Sequence, residues 1–326
     1  MTLHPWAGGP EHEGEQPSEV VSGTTTPDLT HAVETPAGGL VHGHRRSALR
    51  RVAEVFVQNR LAVIGVGIVV LFLLFCFVGP LVYHTDQVSS NLAISNEAPS
   101  AQHPLGTDST GYDELGRLMY GGQASLEVGI AAALLASLLG TIYGAVSGYV
   151  GGPLDSVMMR LVDGLLAVPA LFVLLVLSTI YSPGVGVMVL LIASFSWLGA
   201  ARLIRGESLS LRVREYVQAV RGMGGGSTRA ILRHIAPNAI GTVVVFATFT
   251  VADSILTLSF LGYLGLGVQP PQTDWGGMLS SATNYINAGY WWQLYPPGLA
   301  IVLVAIAFNF MGDALRDAFE VRLQER

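Results

Sequence analysis

The sequence predicts an all-α integral membrane protein with six transmembrane helices. Three observations support this prediction: 51% of the 326 residues are hydrophobic, only 12% are charged, and the mean hydropathy is +0.50. A soluble domain carries about a quarter charged residues. The apolar stretches also have the length that a helix needs to cross the roughly 30 Å hydrocarbon core of a bilayer at about 1.5 Å per residue.

Five long apolar runs define the six predicted spans. They cover residues 61–82, 128–150, 164–201, 238–264 and 297–312. The third run is too long for one span, and Ser182-Pro183-Gly184 near its middle is a turn signal. We therefore expect this run to form a helical hairpin that supplies spans three and four.

Residues 1–43 have a different composition, with six acids, no base and many Gly, Pro, Ser and Thr residues. Such a segment buries too little apolar surface to offset the entropy of ordering it, which predicts a disordered acidic tail. Residues 44–123 form a basic flank with the first transmembrane helix and an outer loop. Residues 124–316 form a five-helix core that includes the segment 202–237, and residues 317–326 form a C-terminal tail.

Arginine placement predicts the orientation, because basic residues near span ends are retained on the cytoplasmic side. With the N-terminus inside, 16 of the 17 arginines are cytoplasmic. Only Arg117 falls outside, in a loop that also holds five acids. We expect a multi-pass protein of the cell membrane with both termini in the cytoplasm.

Several chemistries are excluded by composition. The sequence has no lysine, so it contains neither a P-loop lysine nor a Schiff-base lysine. Its one cysteine, Cys76, excludes an internal disulfide and a multi-cysteine metal cage. No hydrolase elbow occurs and the eight histidines do not form a ligand set. We expect no enzymatic activity, no metal, no cofactor in this chain and no nucleic-acid partner.

The segment 202–237 is the part of the chain that predicts a mechanism. It holds seven arginines against two glutamates, and five apolar residues recur at helical spacing in Val213, Tyr216, Val217, Val220 and Met223. Glycines then break this amphipathic helix, and Ser227 is placed to cap a second one. The first helix either lies on the anionic leaflet or docks in a groove of a partner protein, and the rigid glycine turn favours the partner.

This segment carries a family resemblance. Residues 215–224 read EYVQAVRGMG and residues 233–238 read RHIAPN, which resembles the EAA loop of ABC importer permeases, whose coupling helix inserts into the ATPase subunit. The stretches 103–117, 260–276 and 312–317 resemble the dipeptide, oligopeptide and nickel branch of that superfamily. Four motifs thus occur in the right order across roughly residues 48–322.

The resemblance implies a type I ABC importer (MetI-like) permease fold and a C-type subunit with a cytoplasmic coupling helix. It implies transport of peptides or similar small solutes, with a second homologous permease, two ABC ATPase subunits that bind ATP and Mg, and an extracytoplasmic binding protein as partners. The docking face that it implies consists of Tyr216, Val217, Ala219, Val220 and Met223. Glu215 and Arg221 would lie at its rim, and Gly224 would permit the turn.

Two acids inside the apolar runs are candidates for the translocation pathway, because ionisable groups in spans are costly and usually functional. Asp253 lies halfway along span five, where it would line a water-filled path or bond a neighbouring helix. Asp163 follows Arg160 by three residues, which predicts an interfacial ion pair. Two other classes stay open at this stage: an ion-driven secondary transporter that uses Asp253, and a membrane scaffold that recruits a soluble partner.

Overall fold

The computed structural model describes residues 48–223 and 226–324, so the acidic tail and Gly224 lie outside the described residues. Within these ranges the chain is helical and contains no β-strand. The helices are α1 Ala48–Gln58, α2 Arg60–Phe77, α3 Gly79–Val82, α4 Glu114–Val150, α5 Gly152–Leu166, α6 Ala170–Tyr181, α7 Val185–Leu211, α8 Glu215–Gly222, α9 Ser227–Ala230, α10 Ala236–Tyr263, α11 Trp275–Thr283 and α12 Trp291–Gln324.

Five helical stretches are long and apolar enough to cross a membrane, and the count becomes six if α5 and α6 together form one span. The axes of α5 and α6 differ by 75° across a short break that contains Pro169. A proline has no backbone N–H and disfavours helical geometry in the residue before it, which explains the break. The predicted turn between spans three and four is present, since α6 ends at Tyr181 and α7 begins at Val185.

The start of the second span differs from the prediction. The predicted span begins at residue 128, but one helix of 37 residues begins at Glu114 and includes the whole span. Its cap is Asp113, whose Oδ1 accepts a hydrogen bond from the N–H of Gly116 at 2.8 Å. No residue between Glu114 and Val128 interrupts the helical hydrogen bonding, so the helix extends well beyond the apolar run.

The core is built largely on the close packing of α4 against α7. Three glycines one turn apart on α4, Gly140, Gly144 and Gly148, face α7. A Cβ atom on Gly140 would lie 2.7 Å from the carbonyl oxygen of Trp197, and one on Gly148 would lie 2.6 Å from that of Arg205. Residue numbers rise together on the two helices, so they run parallel. Small residues at such contacts are the usual means by which membrane helices approach closely.

The helices place the connecting segments at two ends of the bundle. One end, which we call the loop end, carries residues 83–113 and 264–290, and the first of these segments is hydrogen-bonded to the start of α12. Gln293 Nε2 donates to the side-chain oxygen of Asn96 at 2.9 Å, and Trp292 Nε1 donates to the carbonyl oxygen of Thr107 at 3.3 Å. The other end, which we call the basic end, carries the segment 202–237.

Candidate functional site

The segment at the basic end is a short helical excursion between two spans. α7 ends at Leu211, α8 follows after a three-residue turn, and α9 leads through a π-helix, Ile231–Ile235, into α10. The Arg214 carbonyl oxygen accepts hydrogen bonds from Val217 N–H at 3.0 Å and Gln218 N–H at 3.1 Å, which starts α8. Pro237 stands in the first turn of α10, where its missing N–H has no helical partner to lose.

Among the described side chains of α8, that of Val217 anchors the helix to the bundle. Val217 is fully buried and packs in a cluster with residues of α4, α7, α9 and α10, including Tyr149, Ile204 and Ala239. The sequence placed Val217 on the docking face, whereas the structure places it in the chain's own core. Burying a valine side chain contributes on the order of 1.5–3 kcal/mol, which holds α8 in position.

The opposite side of α8 is exposed. Tyr216 is 43% exposed and Met223 is 79% exposed, and Glu215 and Ala219 are also exposed. The Tyr216 ring lies 6.1 Å from that of His234, centroid to centroid. Of the other predicted docking residues, Gly224 and the side chains of Val220 and Arg221 lie outside the described part of the chain. The structure thus gathers Tyr216, Ala219 and Met223 on one accessible surface.

An ion pair connects the end of α7, from which this segment starts, to α5. The Arg205 guanidinium donates two hydrogen bonds to the Asp155 carboxylate, at 2.6 and 2.7 Å, and the Ser147 hydroxyl donates to the same carboxylate. Nearby, Arg212 Nη1 donates to the carbonyl oxygen of Gly148 at 3.2 Å. Sequence reasoning missed this cluster, since Asp155 and Arg205 are 50 positions apart and no local spacing relates them.

Asp163 has a different partner from the predicted one. Its Oδ1 lies 2.5 Å from Arg202 Nη2, and both side chains are more than half exposed. The prediction of a pair with Arg160 is wrong, because α7 lies beside α5 and brings an arginine from another helix to the carboxylate. An exposed pair of this kind contributes little to stability, at a median of about 0–1 kcal/mol.

Asp253 lies on an outward face of α10. It is exposed, although Ala252 and Ser254 on either side of it are buried, and it has no hydrogen-bond or ion-pair partner within the described ranges. Leu256 and Phe260, at helical spacing from it, are 45% and 44% exposed. A carboxylate on an apolar face of a span is costly in lipid, so this face requires water or another polypeptide against it.

The fold defines a polytopic membrane protein of the permease class, with an exposed helical segment between two of its spans. Residues 137–325 match the family of binding-protein-dependent transport system inner membrane components. Residues 47–99 match the N-terminal transmembrane domain of oligopeptide transport permease C. The chain belongs to this family of importer permeases, whose members are transport components rather than enzymes, and membership disfavours the ion-driven alternative.

Curated relatives agree over most of the chain. The dipeptide transport system permease protein DppC of Bacillus subtilis is 39% identical over 267 residues, which is 82% of this chain and 83% of the relative. The oligopeptide transport system permease protein OppC of Escherichia coli is 43% identical over 267 residues, which is 81% of this chain and 88% of the relative. OppC of Bacillus subtilis is 37% identical over 270 residues, which is 83% of this chain and 88% of the relative.

Proposed function

We propose that the chain is the C-type permease subunit of an ATP-driven importer of di- or oligopeptides. It forms half of the pathway with a second homologous permease, receives solute from an extracytoplasmic binding protein, and contacts two ATPase subunits that hold ATP and Mg. The observation that carries this proposal is the exposed apolar surface of α8, in a chain that has no lysine for a P-loop. The printed names of the relatives support peptides as the solute.

The described residues of the coupling surface are ones that the chain itself does not bury. Tyr216, Ala219 and Met223 supply its apolar area, and Glu215 lies at its rim. Val220, Arg221 and Gly224 belong to it by the resemblance. Val217 acts from beneath as the anchor, so a push on α8 is passed directly to the cluster that contains Tyr149, Ile204 and Ala239. The Asp155–Arg205 pair carries the same displacement into α5.

The pathway lies along the exposed face of α10. We assign Asp253 to it, because the carboxylate has no partner within the described residues and a peptide ammonium group would supply one. The second permease covers this face and closes the path from lipid. Asp163 stays a candidate at the edge of the pathway, where Arg202 and a cationic solute would compete for its carboxylate. The basic end is cytoplasmic in this arrangement, as are both termini.

The test is purification of the tagged chain with its partners from the native membrane, followed by an ATPase assay of the complex. The wild type should bring down two ATPases and a second permease. Met223→Asp should reduce the bound ATPase at least tenfold, since a charge on an apolar docking surface loses roughly 1.5–3 kcal/mol or more on burial. The control is Val88→Asp, which places the same charge on a 74% exposed valine at the loop end.

A chain that purifies alone would contradict the importer assignment. Equal ATPase recovery with Met223→Asp and Val88→Asp would leave the family assignment standing and remove α8 from the docking surface.

A further inference from the structure

A cavity of about 470 Å³ lies at the loop end, away from the α8 surface and from Asp253. Its walls come from the segment after α3, from the first four turns of α4, from the start of α7 and from the loop before α11. A volume of this size falls within the range of about 300–1,000 Å³ that is usual for small-molecule sites. The cavity is therefore large enough for a short peptide.

One face of α4 supplies a positive and a negative side chain to the cavity. Arg117, Tyr120, Ala124 and Glu127 follow each other at intervals of three or four residues and all line it. The positive group and one negative group thus lie at the two ends of a single helical stripe. Asp86 also lines the cavity, but its Oδ1 already accepts two backbone hydrogen bonds within its own turn.

Glu127 is available for a ligand. It is exposed, and it has no hydrogen-bond or ion-pair partner in the part of the chain that the structure describes. It also stands at the edge of the apolar run, one residue before Val128, where a carboxylate needs a polar neighbour. A cation that enters the cavity would meet this carboxylate without displacing a protein partner.

Arg117 is held in place and retains free donors. Its guanidinium lies 4.3 Å above the ring of Tyr112, its Nη1 donates to the carbonyl oxygen of Pro271 at 3.4 Å, and its Nε lies 3.8 Å from Asp108. A guanidinium carries five N–H donors, so these contacts leave Nη2 for an anion. A fixed guanidinium with spare donors suits the planar carboxylate group.

The spacing of the two residues along α4 sets an approximate length. Arg117 and Glu127 are ten residues apart on α4, which is about 15 Å along the helix axis. An extended chain covers at most about 3.3–3.6 Å per residue, so about four residues separate groups at this distance. A zwitterionic dipeptide covers only about half of this distance.

We propose that the loop-end cavity is a binding site for an extended peptide of about four residues. The site places the peptide ammonium group at Glu127 and its terminal carboxylate at Arg117. The proposal rests on the proposed function, because it takes a peptide as the solute. It adds a site, a direction of binding and a preferred length, none of which follows from the docking surface.

The first test measures the charge of the cavity with a single reactive thiol. Tyr120→Cys places a cysteine in the cavity wall, and the native Cys76 is fully buried and serves as the unreactive background. The assembled complex in membrane vesicles is treated with cationic and anionic methanethiosulfonates, and modification of the tagged chain is followed by mass. Adding Glu127→Gln should lower the cation-to-anion rate ratio about fourfold, the effect of removing one charge about 10 Å away in water.

The matched control is Glu97→Gln, which makes the same chemical change at the loop end outside the cavity. It should leave the rate ratio unchanged. Equal effects of Glu127→Gln and Glu97→Gln would overturn the assignment of Glu127.

The second test adds peptides during labelling of Tyr120→Cys. Tetra-alanine should protect the thiol, whereas dialanine and N-acetyl tetra-alanine should each need at least about tenfold higher concentrations, because each loses one charged contact. Glu127→Gln should remove the difference between free and acetylated tetra-alanine. Equal protection by the two in the presence of Glu127 would overturn the proposal.

Uptake by the same vesicles, supplied with the binding protein, separates this failure from that of the proposed function. If peptides are transported but the free amino group makes no difference to protection, the importer stands and the cavity site falls. If neither transport nor protection is seen with any peptide, both the peptide assignment and the site fall.

Discussion

Asp274 fixes the loop that joins α10 to α11. Its Oδ2 accepts a hydrogen bond from Val268 N–H at 2.9 Å, and its Oδ1 accepts one from Gly277 N–H at 3.0 Å, which caps α11. Gly262 and Gly267 leave room for this carboxylate, because a Cβ atom at either position would overlap it. Burial raises the pKa of Asp274 to about 6, although the backbone N–H groups favour the ionised form.

Asp274→Asn should destabilise the protein by about 1–3 kcal/mol near pH 4, because an amide NH₂ presents donors to a backbone N–H. A carboxyl whose pKa is higher in the folded than in the unfolded state contributes most below its unfolded value, and this contribution is lost as the pH rises through about 6. The gap in thermal stability between wild type and variant, measured in detergent, should therefore narrow from pH 4 to pH 7. A gap that widens would show that the hydrogen bonds outweigh burial.

Among single residues, the sequence identified the unusual ionisable groups but did not predict their contacts. It singled out Asp253, which is exposed on α10, and Asp163, which pairs with Arg202. The partner of Asp163 and the burial of Val217 were not foreseen, since each depends on a helix packed from elsewhere in the chain. Helical spacing places Val217 beside Tyr216 and Val220 but contains no information on which part of an apolar face the bundle covers.

At the scale of elements, the glycine face of α4 determines how close α7 can come. A Cβ atom on Gly144 would overlap the carbonyl oxygen of Ala201 and lie 2.9 Å from the amide nitrogen of Arg205. Both contacts are with backbone, so no side-chain rotation relieves them. The Asp155–Arg205 pair lies at the same contact and would be displaced with it.

Gly144→Ala should lower the free energy of unfolding by about 1–3 kcal/mol, the usual effect of overpacking. The matched control is Gly206→Ala on α7, where an added methyl group meets nothing within 4 Å and alanine favours the helix. Thermal unfolding of the purified complex distinguishes the two. Equal melting temperatures for both variants would show that α4 and α7 are not in tight contact.

A breaker gave the correct element boundary at some positions and a wrong one at Pro296 and Pro297, which both lie inside α12. Ser182-Pro183-Gly184 gave the turn between α6 and α7, and Pro169 marks the break before α6. α12 begins at Trp291, six residues before the predicted start, and continues to Gln324. Hydropathy locates the part of a helix that lies in lipid, and it gives no signal for polar turns that continue beyond it.

At the scale of the whole molecule, the two ends of the bundle differ in charge and should lie on opposite sides of the membrane. The buried Cys76 makes this testable with single cysteines. Val88→Cys at the loop end should react with an impermeant thiol reagent added outside intact cells. Met223→Cys at the basic end should react only in inverted vesicles, prepared from cells that lack the ATPase subunits so that this surface is uncovered. Both side chains are more than 70% exposed. Labelling of both from one side would contradict the predicted orientation.

Parallel packing of α4 and α7 also constrains how the chain is assembled during synthesis. Two helices joined by a short turn pair as soon as the second emerges from the ribosome, but α5 and α6 must be made before α7 exists. Until then the glycine face of α4 has only lipid or the insertion machinery beside it. At about 5–20 residues per second, the 61 residues from Gly151 to Leu211 leave α4 waiting for several seconds. During this interval the glycine face of α4 is uncovered in the incomplete chain, and quality-control proteases can act on it.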